Sequence, residues 1–261
     1  CIFNNLRNKL HSYFRYNKGQ TIKKISWIPG YNPPNQFAST RIRVYYPHTS
    51  INKFCADKYN SIIGYNSKAD ILILQKTIKS SNIRKIKRFK GFIIYDFDDP
   101  ISKHSFDKIM PYVNLITTDT VERKKEFDKL EYNVPCEVLE DCLDYNFVDA
   151  YETPYISNKV SWFGNYPNYD SVKWMSTEII KNNFELNLIT DVKEVKVGAS
   201  RFIKKIQWNL ETFINDLRCS NICIISHAGS GSIYKSNNKM IVAIAAGLPC
   251  IVNESKNYET L

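Results

Sequence analysis

Short apolar runs alternate with longer polar stretches along most of the chain. The run ADILILQK (69–76) is continuously apolar between polar flanks, which is typical of a buried strand in a parallel sheet. Stretches with helical spacing lie between such runs, for example 102–112 and 120–132. Strands that alternate with helices in this way predict a parallel sheet with right-handed crossovers. The strands predicted in the first half of the chain lie in KKISWIPG, ADILILQK, KGFIIYDFDDP, VNLITTDT and CEVLEDCL.

The same alternation starts again after a polar, proline-containing stretch at 146–158, which we interpret as a linker. The pattern therefore predicts an α/β protein with two Rossmann-like domains, each built on a parallel sheet. We place a basic leader at 1–20, the first domain at 21–150 and the second at 151–261. The second series of predicted strands lies in KVSWFGNY, FELNLITD, KKIQWN, SNICIISHAG and GLPCIVNE, with helices predicted in SVKWMSTEIIKNN, NLETFINDLRC and NKMIVAIAAG.

Composition agrees with this division. A chain of 261 residues suits two α/β domains of about 120 residues each. Its content of 43% hydrophobic and 13% aromatic residues is enough for packed cores, so we do not expect a disordered chain. No apolar run approaches the roughly 18 residues of a membrane-spanning helix. The seven cysteines form no CxxC pair, which indicates free thiols in a reducing compartment, and we expect a cytoplasmic protein.

The net charge of +10 favours polyanionic partners: nucleic acid, anionic lipid or a phosphate-bearing substrate. Six of the cations lie in the basic run 79–90 (KSSNIRKIKRFK). This run is either a solvated helix face or a surface that docks peripherally on the inner face of an anionic membrane. A basic nucleic-acid-binding protein is an alternative that the charge alone suggests, although we find no RNA- or DNA-binding motif and expect no nucleic-acid partner.

Candidate chemistry follows the predicted strands, because ligands of open parallel sheets bind beyond the carboxyl ends of the strands. The arginines Arg41 and Arg43 share one face if their segment is extended. They would bind an acidic acceptor or a donor phosphate, or form surface salt bridges. The candidates at strand ends are Lys76, Asp98, Asp99 and Asp119 in the first domain, and Gly164, Asn165, Trp208, His227 and Gly229 in the second.

The most informative stretch is HAGSGSIYKSNNKMIVAIAAGLPCIV (227–252), which leads from a strand end through a Gly/Ser loop into a helix. Helix N-termini present unpaired N–H groups and a partial positive charge. Together with the nearby cations and polar side chains, this predicts a site for a diphosphate. It is not a Walker loop, because Tyr234 stands where that motif requires glycine. The residues placed at this site are Lys235, Ser236, Asn238 and Lys239.

The aspartates of IIYDFDDP admit three readings. They are a metal-binding cluster, caps of the next helix, or contacts to an acceptor. We favour the last two and predict no metal site and no cofactor. Among them we single out Asp98 and Asp99 as polar acceptor contacts, or as the base of an inverting reaction.

The ordered strands and above all the segment KSNNKMIVAIAAGLPCIV resemble the GT-B glycosyltransferases, nearest to the retaining group that includes bacterial polysaccharide and lipid mannosyl- and glucosyltransferases. The likeness is spread over roughly residues 24–258. It also draws on STRIRVYYP, IIYDFDDP, VSWFGNYPNYDS and IQWNLETFINDLRCSNICIIS. Many retaining members carry two glutamates seven residues apart around the donor helix. Here the second would fall near Val242, so the pair is absent.

The resemblance implies a membrane-associated or cytoplasmic enzyme of polysaccharide biosynthesis. It would move a sugar from a nucleotide-sugar donor to a glycan or lipid-linked acceptor across a cleft between its domains. It implies metal-independent departure of a nucleoside diphosphate stabilised by Lys235 and Lys239, with Trp208 beside the base and His227 at the sugar or phosphate. Because GT-B chains usually end with a helix that returns to the first domain, it also implies a shortened second domain. A nucleotide-sugar epimerase of the same fold is the alternative enzyme.

Overall fold

The computed structural model describes residues 22–31, 37–76, 78–100, 102–144, 157–191, 202–227 and 233–259. The chain divides into two compact units, Cys1–Asp144 and Tyr145–Leu261. The predicted leader at 1–20 and the predicted boundary between residues 150 and 151 lie outside the described residues, so both stay predictions.

The described part of the first unit forms one parallel sheet of six strands: β1 (Lys23–Ile28), β2 (Tyr59–Ile63), β3 (Ile71–Gln75), β4 (Phe92–Phe97), β5 (Leu115–Thr118) and β6 (Cys136–Val138). The spatial order is β2-β1-β3-β4-β5-β6. The chain therefore reverses its direction of travel across the sheet between β1 and β3. This is the flavodoxin-like order, which places ligands at that reversal.

Apolar side chains cover both faces of this sheet. Leu72 and Leu74 of β3 belong to one buried cluster, and Ile71 and Ile73 belong to the other, because side chains alternate along a strand. Each such residue contributes about 1.5–3 kcal/mol when it is fully buried. The continuous apolar run at 69–76 is thus explained by burial on both faces. The helices of this unit are α1 (Tyr46–Phe54), α2 (Ser80–Arg88), α3 (Lys103–Asp107) and α4 (Val121–Asp128).

Two features of the first unit differ from the sequence prediction. Strand β2 was not predicted, because its short sequence YNSII mixes polar and apolar residues. The extended conformation considered for Arg41 and Arg43 is wrong. An α-helical turn at Ala38–Thr40 and a π-helical turn at Arg41–Tyr45 lead directly into α1. The two arginines therefore do not share one face, and they reach different carboxylates.

The described part of the second unit forms a parallel sheet of five strands: β7 (Lys159–Phe163), β8 (Glu185–Thr190), β9 (Ile203–Gln207), β10 (Ile222–Ile225) and β11 (Cys250–Val252). Its order is β11-β10-β7-β8-β9, the order of a Rossmann domain, with the reversal between β7 and β10. The prediction of an α/β protein with two parallel sheets is confirmed. The helices of this unit are α5 (Asp170–Lys181), α6 (Phe213–Arg218) and α7 (Asn238–Ala245).

Gly91 permits a close approach between the start of β4 and Asp70, the residue that precedes β3. A Cβ atom at this position would lie 2.2 Å from the carbonyl oxygen of Asp70, which also accepts the N–H of Phe92 at 2.8 Å. We expect Gly91→Ala to lower the free energy of unfolding by about 1–3 kcal/mol, because the backbone must shift. Urea unfolding checks this, with the exposed neighbour substitution Lys90→Ala as control. Equal midpoints for the two variants would contradict the prediction.

Candidate functional site

The strand order of the second unit gathers the predicted donor residues at one edge of its sheet. Gly164 directly follows β7, and His227 lies two residues beyond the end of β10. These two strands are neighbours at the reversal of the strand order, where folds of this order hold their ligands. Helix α7 begins on the connection from β10 to β11, and therefore its N-terminal residues belong to the same edge.

Lys239, in the first turn of α7, lies against the end of β7. Its ammonium is 5.5 Å from the ring centroid of Trp162 and 5.6 Å from that of Phe163. A Cβ atom built at Gly164 would come within 2.7 Å of Lys239 Nζ. Glycine at this position thus leaves the space that the ammonium occupies. Gly164 and Lys239 lie 75 positions apart in sequence and were predicted separately as contacts to a nucleotide sugar. The fold brings them together.

The Lys239 ammonium has no carboxylate partner within the described residues. Burial and the nearby charge of Lys235 lower its pKa to about 8. A half-buried cation without a counterion is electrostatically unfavourable, and an incoming anion would relieve this cost. The side chain of Asn237 does not cap α7, and the helix N-terminus adds its own partial positive charge. This edge of the sheet is therefore suited to an anion.

His227 is held by two residues that follow β11. Its backbone N–H donates to Asn253 Oδ1 at 3.1 Å, and its ring Nε2 lies 2.5 Å from the hydroxyl of Tyr258. Burial, Lys239 and Lys235 lower the pKa of His227 to about 3, so the ring is neutral at pH 7. A neutral imidazole offers one donor and one acceptor nitrogen.

The remaining predicted donor residues are placed as follows. Lys235 is exposed, and the carbonyls of Ile233 and Lys235 accept hydrogen bonds from the side-chain amide of Asn257 at 3.1 and 3.0 Å. Ser236 precedes α7, and Asn238 begins it. Asn165 follows Gly164 at the end of β7. Gly229 lies outside the described residues.

An aromatic group borders the β8–β9 side of the same edge. Trp208 directly follows β9, and its backbone N–H donates to the carbonyl of Thr190 at 2.8 Å. Its indole lies 6.2 Å from the ring of Phe213, which in turn meets Phe163 edge-on at 4.9 Å. Trp208 is only half-buried, whereas the other two rings are buried. One indole therefore remains accessible on an aromatic support.

In the first unit, Lys76 and the two aspartates predicted as acceptor contacts form one cluster at the carboxyl edge of the sheet. Lys76 Nζ lies 2.7 Å from Asp98 Oδ1 and 3.2 Å from Asp99 Oδ2. Lys76 adopts φ of +55°, which is unusual for a residue other than glycine. Tyr95 fixes this turn by donating its hydroxyl to the Lys76 carbonyl at 2.6 Å. Strain of this kind concentrates at functional sites, and the Asp99 side chain stays 56% exposed.

The arginines predicted for the acceptor site are instead buried in ion pairs. Arg41 reaches Asp144 at 2.6 Å, with 4% and 8% of the two side chains exposed. Arg43 forms a two-point contact with Asp96 and also reaches Asp141 at 2.9 Å. The alternative of surface salt bridges is wrong, because both guanidiniums lie inside the unit.

Asp119, the fourth acceptor residue predicted in the first unit, is also buried. Arg123 donates to its carboxylate at 2.7 Å, from one turn further along the chain. Burial raises the pKa of Asp119 despite the charge of Arg123. The geometry thus gives Asp119, like Arg41 and Arg43, a structural part in the first unit, and a contact of any of the three with acceptor stays a prediction.

Gln75, a strand-end position beside Lys76 in the sequence, is fully buried at the end of β3, where its Oε1 accepts from the N–H of Gly30 at 3.0 Å. Sequence reasoning missed Tyr258 and Asn253, which hold His227 in place. They follow the last strand in a polar stretch that carries no motif, and only the position of Asn253 at a strand end could have drawn attention to it.

The described residues contain no group of three or more His, Cys, Asp or Glu side chains that could hold a metal ion. They also include no helix with both the length and the apolar character needed to cross a membrane.

Comparison with known proteins gives similarity at the level of solved structures only. No family model matches the chain, and no curated protein sequence matches it. A crystal structure of an α1,3-fucosyltransferase is similar with a TM-score of 0.48 and 8% identity, over 92% of this chain and 71% of that one. CalG4, the calicheamicin glycosyltransferase, gives 0.40 and 8%, over 89% and 80%. The glycosyltransferase SnogD from Streptomyces nogalater gives 0.31 and 10%, over 86% and 64%. At these values the likenesses establish no function for this chain.

Proposed function

We propose that this chain is a GT-B glycosyltransferase that moves a sugar from a nucleotide-sugar donor to a glycan or lipid-linked acceptor. One observation carries the proposal: the Lys239 ammonium lies beside Gly164 without a carboxylate partner in the described residues. It does so where the strand order of a Rossmann-type sheet reverses, the place at which such sheets bind the phosphates of nucleotides. A diphosphate supplies the anion that this cation lacks.

The proposed chemistry is departure of a nucleoside diphosphate. Negative charge develops on the phosphate oxygens as the glycosidic bond breaks, and fixed positive groups at that place lower the barrier. Lys239, Lys235 and the N-terminus of α7 supply the positive charge, while Ser236 and Asn238 add hydrogen bonds. Because protein groups provide the stabilisation, the proposed transfer needs no metal ion and no cofactor.

The same edge of the second unit's sheet also offers groups that can recognise the base and the sugar of the donor. Gly164 and Asn165 let the backbone at the end of β7 approach the diphosphate. The half-buried indole of Trp208, supported by Phe213, offers a flat apolar surface beside which a nucleobase packs. His227 then contacts the sugar or its phosphate as a neutral hydrogen-bonding group.

For the acceptor we propose the cluster of Lys76, Asp98 and Asp99. Asp99 is the exposed member, so it is the one that can meet an acceptor hydroxyl. Lys76 holds both carboxylates in place through its two ion pairs. In an inverting reaction Asp99 would accept the hydroxyl proton. The resemblance in sequence favours retention, in which case Asp99 orients the acceptor.

We also propose that the basic run docks on anionic lipid, which would bring a lipid-linked acceptor to the enzyme. The run includes α2, on which Arg84, Lys87 and Arg88 are exposed and form no salt bridge within the described residues. Near an anionic surface each such cation contributes about 1 kcal/mol. We expect Arg84→Gln with Arg88→Gln to reduce sedimentation with phosphatidylserine-containing vesicles about tenfold or more. Unchanged sedimentation, or equal binding to pure phosphatidylcholine vesicles, would refute lipid docking.

The pKa of Lys239 predicts how donor binding depends on pH. The diphosphate of a nucleotide sugar keeps its charge above pH 7, whereas Lys239 loses its proton around pH 8. Affinity is therefore greatest below pH 8 and should fall by up to about tenfold per pH unit above it. Calorimetric titration at pH 7, 8 and 9 measures this. Lys239→Arg is the control, since its guanidinium stays charged and its pH profile should be flat.

A thermal-shift screen against UDP-, GDP-, ADP-, TDP- and CMP-sugars tests the proposed function. A donor that binds the folded protein raises the melting temperature by mass action, by an amount that grows with its concentration. The donor found is then incubated with and without candidate acceptors, and release of nucleoside diphosphate is followed. Acceptor-dependent release supports a transferase. No shift with any donor would overturn the proposal, and isomerisation of the donor without acceptor would favour an epimerase.

A further inference from the structure

The segment that follows β11 holds the anion-binding edge of the second unit at three points. Asn253 accepts the backbone N–H of His227, and Tyr258 meets the ring of His227. Asn257 donates to the carbonyls of Ile233 and Lys235. One short stretch of chain therefore fixes both His227, beyond the end of β10, and the residues that lead into α7.

The contact between Tyr258 and His227 decides where the imidazole carries its proton. Tyr258 is 7% exposed, and its hydroxyl has no other hydrogen-bond partner in the described part of the chain. If Nε2 carried the proton and donated it to Tyr258, the phenolic proton would be buried without an acceptor, which is costly. If Tyr258 donates to Nε2, the buried phenol has an acceptor, and the imidazole proton lies on Nδ1. The rings are also stacked, with centroids 6.0 Å apart and planes 25° apart, which limits rotation.

The charges around His227 keep its ring neutral. Lys239 and Lys235 act on the ring from the α7 side, Tyr258 contacts it from the segment after β11, and no carboxylate among the described residues contributes. Both lysines oppose a positive charge on the ring, so one ring nitrogen keeps a lone pair, and the buried phenol of Tyr258 selects Nε2 for it. Nδ1–H has no protein acceptor in the described residues. It is left as a donor beside two cations, where a bound anion provides oxygen acceptors.

We propose that Tyr258 is a positioning residue that fixes His227 as the neutral Nδ1–H tautomer, so that the ring donates a hydrogen bond to an oxygen of the bound nucleotide sugar. The identity of the ligand in this inference rests on the proposed function, whereas the tautomer of His227 does not. In the opposite tautomer Nδ1 would present a lone pair to the anionic ligand and repel it. Tyr258 thus acts on the donor through His227 without touching it.

Long-range ¹H–¹⁵N correlation spectra of histidine-labelled protein report the tautomer directly. The chain has four histidines, and His227→Gln identifies the signals of His227. We expect a neutral Nδ1–H pattern at pH 7 in the wild type. Tyr258→Phe removes only the hydroxyl and should shift His227 towards the Nε2–H tautomer, which free imidazole side chains prefer. Tyr112→Phe, the same change in the first unit, should leave the pattern unchanged. A wild-type Nε2–H pattern, or no response to Tyr258→Phe, would overturn the inference.

Donor affinity gives the second readout. Tyr258→Phe should weaken binding of the nucleotide sugar about five- to tenfold, the effect of losing one well-oriented hydrogen bond, while the melting temperature without ligand confirms that the variant is folded. Equal affinity of the variant and the wild type would overturn the link to the donor. If the tautomer responds as expected but the wild type binds no nucleotide sugar, the proposed function fails while the positioning of His227 by Tyr258 stands.

Discussion

Replacing Lys239 with methionine is expected to weaken nucleotide-sugar binding by about ten- to 100-fold. Methionine keeps an apolar stem against Trp162 and Phe163 but removes the ammonium beside Gly164. A hydrogen bond between a charged donor and a phosphate contributes about 1.5–3 kcal/mol, from which this range follows. The loss should appear in the dissociation constant of the donor, measured by calorimetric titration at pH 7.

Lys181→Met is the matched control for this experiment. Lys181 is the last residue of α5, and because the crossover helices of a parallel sheet run opposite to its strands, it lies towards the amino edge. Its ammonium already pairs with Glu178 at 2.7 Å. We expect donor affinity to be unchanged in this variant. If Lys239→Met bound the donor as tightly as Lys181→Met does, the phosphates would have to lie elsewhere.

The second large effect concerns stability and comes from Arg43. Burial lowers the pKa of this arginine, but Asp96 and Asp141 outweigh burial and raise the pKa above its ordinary value, so the group is charged throughout. Arg43→Met would leave these two carboxylates without their cation inside the first unit. Breaking a buried pair by removing one partner costs about 3–5 kcal/mol. We expect a loss of that size in the free energy of unfolding of the first unit, measured by urea titration.

Lys103→Met is the control for Arg43→Met in the same unit, because it removes a cation from an exposed ion pair instead of a buried one. Lys103 pairs with Asp107 at 3.4 Å on the surface of α3, and 63% of its side chain is exposed. Such exposed pairs contribute little to stability, because water screens both charges. If Arg43→Met cost no more than this control, the ion pairs of Arg43 would not stabilise the unit as their geometry indicates.

The parts of the fold that the sequence predicts well are those fixed by local pattern. The run at 69–76 predicts β3 because a strand buried on both faces needs apolar residues throughout. Strand β2 could not be predicted from local pattern, because its stabilising contacts are made with residues that are distant in sequence. Ser61 accepts the indole N–H of Trp27 at 2.7 Å, from a residue 34 positions away. The pattern Arg-Ile-Arg-Val likewise imitates a strand, whereas the carboxylates that bury Arg43 lie 53 and 98 residues further along the chain.

The candidate site likewise contains some residues that local sequence predicts and some contacts that depend on the fold. Lys239 and Gly164 were each predicted from their own surroundings: a helix N-terminus in one case and a strand end in the other. Their proximity depends on β10 lying next to β7, which no local pattern specifies. Tyr258 could not be predicted at all, since its hydroxyl matters only through a histidine 31 residues earlier in the chain.

The most direct test of the central claim is a crystal structure of the protein with a bound nucleoside diphosphate. We predict that the diphosphate lies beyond the carboxyl ends of β7 and β10. Its oxygens should be within hydrogen-bond distance of Lys239 Nζ, with the backbone of Gly164 and the ring of His227 beside them. A diphosphate bound in the second unit away from Lys239, or only on the first unit, would contradict it.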